Sequence, residues 1–469
     1  MAASGSASRL HAILVLRSFV ISLLRGQGNA QALSGAFLHM PFSTLGLSPV
    51  ICTPLRRIGY THPTPVQAKC IPVVVAGSDL MARAQTGTGK TAAFGLPMIE
   101  RLLVRDRRPA RPSRPRGLVL VPTRELAIQV HNSLASYGAA VNVRALAVFG
   151  GAPMGAQVRA LRQGVDIVVA TPGRLIDHMQ RRTVDLSAIE ILTLDEADRM
   201  LDMGFLPPLR RVLAALPRQR QTLLLSATFS TEIVALSAEF TQAPVRVDVS
   251  EAQIVAPTIT HSVCPVNNGR KAELLRHVLT EEPMGQALVF CKTKRGANRV
   301  GEALERSGVQ SAVIHGNKSQ GARNRALRDF KAGRVAVLVA TDLAARGLDI
   351  AQLPLVVNYD LPLVPLDYIH RVGRTGRAGL TGRAISLVSP PEHGQLRDIQ
   401  RLLPTPLEQV IVSGFELSDA PRSAGAPVHH GQRHGRGLVK PQRNGARPHA
   451  RAGNRRPHTS ERVRNTVLR

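Results

Sequence analysis

Short apolar runs that do not alternate with polar residues recur along this chain, separated by helix-like segments. A strand that is apolar at every position has to be covered on both faces, which points to a parallel sheet with helices on each side. Such runs stand at Leu118–Val121, Ala145–Phe149, Ile167–Ala170, Ile191–Leu194, Thr222–Leu225 and Val245–Val249, with helical segments such as Arg174–Gln180 and Glu232–Phe240 between them. Residues Ser250–Thr258 have no clear period and contain Pro257. The rhythm then restarts at Ala287–Cys291, Ala312–Ile314, Val335–Ala340, Leu355–Asn358 and Ala384–Val388, with helical stretches over Lys271–Leu279 and Gly321–Phe330. The pattern predicts an α/β protein with two tandem doubly wound parallel-sheet domains, 40–249 and 259–416, joined by a linker at 250–258.

The 469 residues are enough for two such domains plus tails, and a 44% hydrophobic content excludes global disorder. The net charge of +29, carried almost wholly by Arg, points to a polyanionic partner, nucleic acid before an anionic membrane surface. A GC-rich genome gives the same Arg bias. Only 3% of the residues are aromatic and none is Trp, which argues against recognition by rows of base-stacking platforms. Cys52, Cys70, Cys264 and Cys291 stand far apart, a pattern of buried small hydrophobes rather than of a zinc site or a disulfide framework.

The two ends differ from this frame. Residues 1–39 carry Arg9, Arg17 and Arg25, no acidic residue, and an apolar run from Ile13 to Leu24 too short to span a bilayer. Met40 is read as the true start, with an organelle-targeting leader as the alternative. Residues 417–469 form a tail rich in Gly, Pro and His; from Asp419 onward it has two acidic residues and twelve Lys or Arg. That composition predicts disorder and nonspecific affinity for a polyanion.

Three segments carry chemistry. Ala84-Gln85-Thr86-Gly87-Thr88-Gly89-Lys90-Thr91 follows the apolar stretch Asp79–Arg83 and precedes a helix-like segment, as a phosphate-binding loop does. Its glycines let backbone N–H groups turn toward phosphate, Lys90 reaches the β/γ oxygens, and Thr91 can ligate Mg²⁺. The general pattern begins with Gly where this chain has Ala84. Asp195-Glu196-Ala197-Asp198 closes the strand Ile191–Leu194, at the sheet edge where open α/β proteins bind ligands. Asp195 is placed to hold Mg²⁺ and Glu196 to orient the attacking water. His370-Arg371-Val372-Gly373-Arg374-Thr375-Gly376-Arg377 is a cationic loop in the other lobe, able to supply arginine fingers.

Together with these, the chain holds Phe42, Gly59-Tyr60-Thr61-His62-Pro63-Thr64-Pro65-Val66-Gln67, Pro122-Thr123-Arg124-Glu125-Leu126-Ala127, Gly150-Gly151, Thr171-Pro172-Gly173-Arg174 and Ser226-Ala227-Thr228. The second half adds Val289-Phe290-Cys291-Lys292-Thr293, His315-Gly316 with Gln320 and Arg323, and Ala340-Thr341-Asp342-Leu343-Ala344-Ala345-Arg346-Gly347-Leu348-Asp349. In this order the segments resemble the DEAD-box family of superfamily 2 RNA helicases, over roughly Phe42 to Glu416. Among its subgroups the chain is most similar to the bacterial RhlE-like helicases, through His315-Gly316-Asn317-Lys318-Ser319-Gln320 and the short start before Phe42.

The resemblance implies two RecA-like domains and an RNA-dependent ATPase that uses ATP and Mg²⁺ to open short RNA duplexes or remodel RNA–protein complexes. It implies that Phe42 stacks on adenine and Gln67 reads its edge, while Gln85, Thr86, Gly87, Thr88, Gly89, Lys90 and Thr91 cradle the phosphates. Gly347 and Asp349 are implied at the ribose side, and Arg371 and Arg374 at the γ-phosphate. Ser226, Thr228, Asp198 and His370 are implied to couple nucleotide to RNA. Pro122, Thr123, Arg124, Gly151, Thr171, Pro172, Gly173, Arg174, Thr293, Arg323 and Thr341 are implied along the RNA backbone path. Ribosome assembly, cold adaptation and messenger decay fit equally as settings, and a cytoplasmic location follows if the leader is dismissed. Two other readings stay open: an RNA-annealing factor dominated by its tail, and a motor acting on DNA.

Overall fold

The computed structural model describes residues 41–84, 87–105, 114–249, 258–281, 285–345, 348, 350, 353–376, 381–403 and 405–417. These belong to one compact unit that ends at Ser418. The leader and the segment 418–469 lie outside the described residues.

The first lobe runs α1 (Pro49–Arg57), α2 (Pro65–Val75), β1 (Leu80–Arg83), α3 (Lys90–Arg105), β2 (Gly117–Leu120), α4 (Arg124–Gly138), β3 (Ala145–Val148) and α5 (Met154–Arg162). It continues with β4 (Ile167–Ala170), α6 (Pro172–Gln180), β5 (Ile191–Leu194), α7 (Ala197–Asp202), α8 (Leu206–Ala214), β6 (Gln221–Ser226), α9 (Thr231–Phe240) and β7 (Val245–Asp248). The second runs β8 (Ile259–Pro265), α10 (Lys271–Glu281), β9 (Ala287–Cys291), α11 (Lys294–Arg306), β10 (Ser311–Ile314), α12 (Gln320–Lys331), β11 (Val337–Thr341) and α13 (Asp342–Ala345). It ends with β12 (Leu355–Asn358), α14 (Pro365–Val372), β13 (Gly382–Val388), α15 (His393–Gln400) and β14 (Glu408–Gln409).

Each lobe is built on a seven-stranded sheet, ordered β3-β4-β2-β5-β6-β1-β7 and β10-β11-β9-β12-β13-β8-β14, with every pairing parallel. Counted from its own first strand, the second lobe repeats the order of the first. Parallel strands force crossover helices onto both faces. The first sheet accordingly separates two apolar clusters, one around Val119, Phe94 and Leu134 and the other around Leu118, Leu192 and Leu209. Strands β2, β4, β5 and β6 are buried along their whole length, which is why β2 and β4 read as unbroken apolar runs, while β5 and β6 also bury Thr193, Gln221, Thr222 and Ser226. Strand β7, expected as such a run, instead alternates buried Val245 and Val247 with exposed Arg246 and Asp248.

Strand β8 was not expected from the sequence. Its residues, Ile-Thr-His-Ser-Val-Cys-Pro, mix polar and apolar side chains because its start is partly exposed. It nevertheless lies beside β13 over seven paired residues and occupies the place in its sheet that β1 holds in the first. The linker expectation needs one correction. Residues 250–257 lie outside the described set, but Thr258 belongs to the second lobe: its Oγ1 donates to the Gly376 carbonyl at 2.7 Å, and its own carbonyl accepts from Gly382 N–H at 3.0 Å.

Candidate nucleotide and RNA site

The loop between β1 and α3 turns on Gly87 and Gly89, whose φ values of +88° and +93° suit glycine alone. Gln85 and Thr86 lie outside the described residues. Lys90 opens α3 with its side chain 6% exposed, and its ammonium has no hydrogen-bond partner among the described residues. A buried, unpartnered cation at the mouth of such a loop is the arrangement that a phosphate completes.

Asp195 leaves the end of β5 at 3% exposure and accepts the Glu196 N–H at 3.0 Å. Burial pushes its carboxyl up to about 6, an effect that Lys90 partly offsets and that Glu196 and Asp198 reinforce. Glu196 sits at φ 55° and ψ 51°, a left-handed conformation that costs a non-glycine residue free energy and is kept where function requires it. The turn makes Glu196 the N-cap of α7, which starts immediately after it, and leaves it 6% exposed.

Gln67 faces this loop from outside. Thr64 N–H donates to Gln67 Oε1 at 2.9 Å, and Gln67 Nε2 donates to the Gly89 carbonyl at 3.1 Å. Thr64 Oγ1 donates to the Thr88 carbonyl at 2.8 Å. The Gln67 amide is therefore engaged at both ends by backbone, which fixes its orientation and leaves a second Nε2 hydrogen and a second Oε1 lone pair for an adenine edge. Phe42 is 5% exposed and meets Tyr60 edge-on at 6.2 Å, inside the apolar cluster of the first lobe.

The coupling residues come together as expected on the first lobe. Asp198 Oδ2 accepts from Ala227 N–H and Oδ1 from Arg199 N–H, both at 3.0 Å. Ser226 Oγ accepts from Thr228 N–H at 3.2 Å. Through the Ala227 bond the carboxylate segment is tied directly to the Ser226–Thr228 turn. His370 approaches from α14; its Nδ1 stands 3.7 Å from Asp367, and burial holds its imidazole pKa low.

Two buried ion pairs join the lobes. Arg199 Nη1 donates to Asp367 Oδ1 at 2.6 Å, with side chains 8% and 12% exposed. Arg323 Nη2 lies 3.0 Å from Glu125 Oε1, and Gln320 Nε2 donates to the same oxygen at 2.9 Å. Arg323, expected on the RNA path, is thus held by Glu125 because a half-buried guanidinium takes the nearest carboxylate. Glu125, Arg199 and Asp367 were not expected to matter; nothing within a segment tells that its partner lies across the other lobe.

Arg371 is a second correction. Its Nε and Nη2 grip both oxygens of Asp342, at 2.6 and 2.7 Å, and its Nη1 donates to Asn358 Oδ1 and the Asp360 carbonyl. At 2% exposure over the Phe290 ring, with all three of its nitrogens engaged, it braces α13 and α14 against β12. Arg374, at the end of α14, is 8% exposed and donates to the Leu348 carbonyl at 3.0 Å. Gly347, Asp349 and Arg377 lie outside the described residues.

The expected RNA path gathers at the carboxyl edges of parallel strands, where open α/β sheets bind ligands. Pro122 and Thr123 follow β2, Thr171, Pro172 and Gly173 follow β4, Thr293 follows β9, and Thr341 ends β11. Thr123 and Thr293 cap α4 and α11, accepting Leu126 N–H at 3.2 Å and Gly296 N–H at 2.9 Å. Gly151, at φ +84°, lies under the Arg124 guanidinium, which any Cβ there would strike. Arg174 Nη1 donates to the Ala152 carbonyl at 2.9 Å, fixing the same glycine turn from the other side.

The second lobe repeats the sheet of the first but not its phosphate site. Lys271 opens α10 after β8, as Lys90 opens α3 after β1, yet its ammonium is closed off by Glu392 Oε2 at 2.5 Å and the Tyr359 carbonyl at 2.8 Å. Asp360, just beyond β12, stands 3.9 Å from it. A lysine already neutralised and fully buried has nothing left to offer a phosphate.

These features define a two-lobed phosphate-loop motor of the helicase type, with its nucleotide groups in one lobe and an arginine-bearing helix brought to them by the other. Residues 64–236 match the family model described as DEAD/DEAH box helicase, and residues 270–379 match the helicase conserved C-terminal domain. The DEAD-box ATP-dependent RNA helicase CshA of Geobacillus kaustophilus is 42% identical over 369 residues, covering 79% of this chain and 78% of that protein. CshA of Listeria monocytogenes is 43% identical over 359 residues, covering 76% and 68%. Among solved structures, S. cerevisiae Dbp5 bound to RNA and ADP BeF3 superposes with a TM-score of 0.70 at 30% identity, covering 79% of this chain and 95% of that one. Mss116 bound to ssRNA and UDP-BeF gives 0.71 at 25% identity, covering 80% and 79%. The chain belongs to the DEAD-box family of ATP-dependent RNA helicases.

Proposed function

We propose that the protein uses ATP binding and hydrolysis to separate short RNA duplexes locally or to displace proteins from RNA. The observation that carries this reading is the pairing of a buried Lys90 ammonium, without a hydrogen-bond partner among the described residues, with Asp195 and Glu196 on one lobe, and of Arg374, which follows a helix that an ion pair ties to that lobe. Lys90 meets the β/γ-phosphate oxygens. Glu196 holds the attacking water and takes up its proton density, while Arg374 faces the charge that develops on the γ-phosphoryl group.

Thr91 and Asp195 are the residues that would hold Mg²⁺, and they fit it. The carboxyl of Asp195 is pushed up by burial, the condition that a cation relieves. When bound, the ion would supply Lewis-acid neutralisation of the phosphate charge.

ATP and RNA each favour the closed arrangement of the lobes, so each raises the affinity for the other by the same factor. RNA is held through backbone contacts from Arg124, Gly151, Thr171, Thr293 and Thr341, groups suited to phosphate and sugar rather than to base edges. Closure over one strand excludes its partner. The excess of positive charge supports an RNA partner; ribosome assembly in the cytoplasm is one setting for it, and imaging of the tagged full chain tests the location.

The test is steady-state ATPase with and without single-stranded RNA, for wild type and Glu196→Gln. RNA stimulation is expected in the wild type, and the variant should lose roughly 10²-fold or more of it. A rate indifferent to RNA and to Glu196 overturns the reading.

A further inference from the structure

Glu196 precedes α7, and Arg199 lies within that helix. Across the lobe junction, Asp367 lies in the first turn of α14, and Arg374 follows the end of α14. The Arg199–Asp367 bond is therefore a direct mechanical link between the helix that begins at the water-orienting residue and the helix that ends at the arginine finger. It is buried, at 8% and 12% exposure, and it spans 168 residues of sequence.

A buried ion pair is a poor way to stabilise a fold, because desolvation of two charges offsets their attraction. It is an effective way to select one arrangement, since removing either partner leaves the other buried and uncompensated. Arg199 has only a distant second acid, Asp202 at 3.7 Å, and that carboxylate is 55% exposed. The other side of Asp367 faces His370 Nδ1 at 3.7 Å, on the same helix. At 2.6 Å the contact across the junction is much shorter than the 3.7 Å contacts that Arg199 makes with Asp202 and Asp367 with His370 within their own lobes.

We infer that Arg199 and Asp367 are positioning residues that set the register of the closed state, placing Arg374 opposite Glu196. The inference rests on the motor reading above and adds residues that touch neither nucleotide nor RNA. Their removal acts on turnover and on the coupling between the ligands. Binding of ATP to the enzyme without RNA stays as it was, because Lys90 and its loop are untouched.

The experiment is a double-mutant cycle on the full chain with Arg199→Met, Asp367→Asn and both together. It measures RNA-stimulated kcat, KM for ATP, ATP affinity without RNA, and the distance between one dye on each lobe with RNA and a nonhydrolysable ATP analogue. Each single variant is expected to lose roughly tenfold or more in kcat and to fail to close, at unchanged ATP affinity without RNA. The double variant is expected to lose no more than the worse single one. Arg199→Lys, which keeps the charge, should recover part of kcat and of closure.

Additive losses, singles with wild-type kcat and closure, or a loss of ATP affinity without RNA would overturn the inference. Thermal unfolding screens every variant, and if Arg199→Met does not fold, Arg199→Lys and Asp367→Asn carry the same comparison. A wild type whose ATPase ignores RNA would instead refute the motor reading, so the two failures are distinguishable.

Discussion

Replacing Asp195 with Asn should stabilise the protein while abolishing its ATPase. Asp195 is buried at the end of β5, and its carboxyl is raised from 3.8 to about 6. A carboxyl that binds its proton more tightly in the folded than in the unfolded chain destabilises the fold once ionised. The shift corresponds to about 3 kcal/mol at pH 8, an order-of-magnitude figure at 1.36 kcal/mol per unit. That net shift already contains the favourable field of Lys90. Asn keeps an oxygen able to accept the Glu196 N–H and carries no charge. For a cooperative unit of this size the gain amounts to about 6–12 °C in melting temperature. The sign fixes the pH window: the advantage of Asn is complete above about pH 6, shrinks as pH falls toward 3.8, and is absent below, where both side chains are neutral. The assay is thermal unfolding of both proteins from pH 4 to pH 8, without nucleotide. A variant that melts at or below the wild type at pH 8, or a difference independent of pH, would refute the reasoning.

Two further outcomes separate roles that the sequence merges. Arg371→Ala should destabilise the fold by roughly 3 kcal/mol, because it strands the Asp342 carboxylate against β12, whereas Arg374→Ala should abolish RNA-stimulated turnover with a much smaller loss of stability. Melting temperatures and ATPase rates of the two variants measured side by side decide this, and an Arg371→Ala protein as stable as wild type sinks the assignment. Removing residues 419–469, with their twelve Lys or Arg, should flatten the salt dependence of RNA binding by roughly 0.7 per phosphate no longer neutralised, at unchanged RNA-stimulated kcat. Loss of every RNA effect with ATPase retained would favour an annealing factor over a motor.

The contrast between Arg371 and Arg374 shows where the sequence could be read and where it could not. The parallel sheets were legible because strands buried on both faces leave unbroken apolar runs, and β8 escaped because part of it is exposed. The phosphate loop and the Asp195–Asp198 turn were legible because each function needs contiguous residues at the end of one strand. Arginines three apart, by contrast, look alike in one dimension. Only the packing of α14 against β12 decides that Arg371 points into the sheet, where Asn358 and the Asp360 carbonyl receive it. The same limit hid the lobe junction. Glu125 follows Arg124 and Arg199 follows Asp198, so each junction residue is a direct neighbour of a residue expected to serve RNA or nucleotide. Arg323 and Asp367 complete those pairs from the other lobe. The residues expected to grip the ligands are thus adjacent in sequence to Glu125 and Arg199, which join the lobes. A shift of α4 or α7 on ligand binding therefore reaches the junction within a single residue, which gives the reciprocal coupling of ATP and RNA a short physical route.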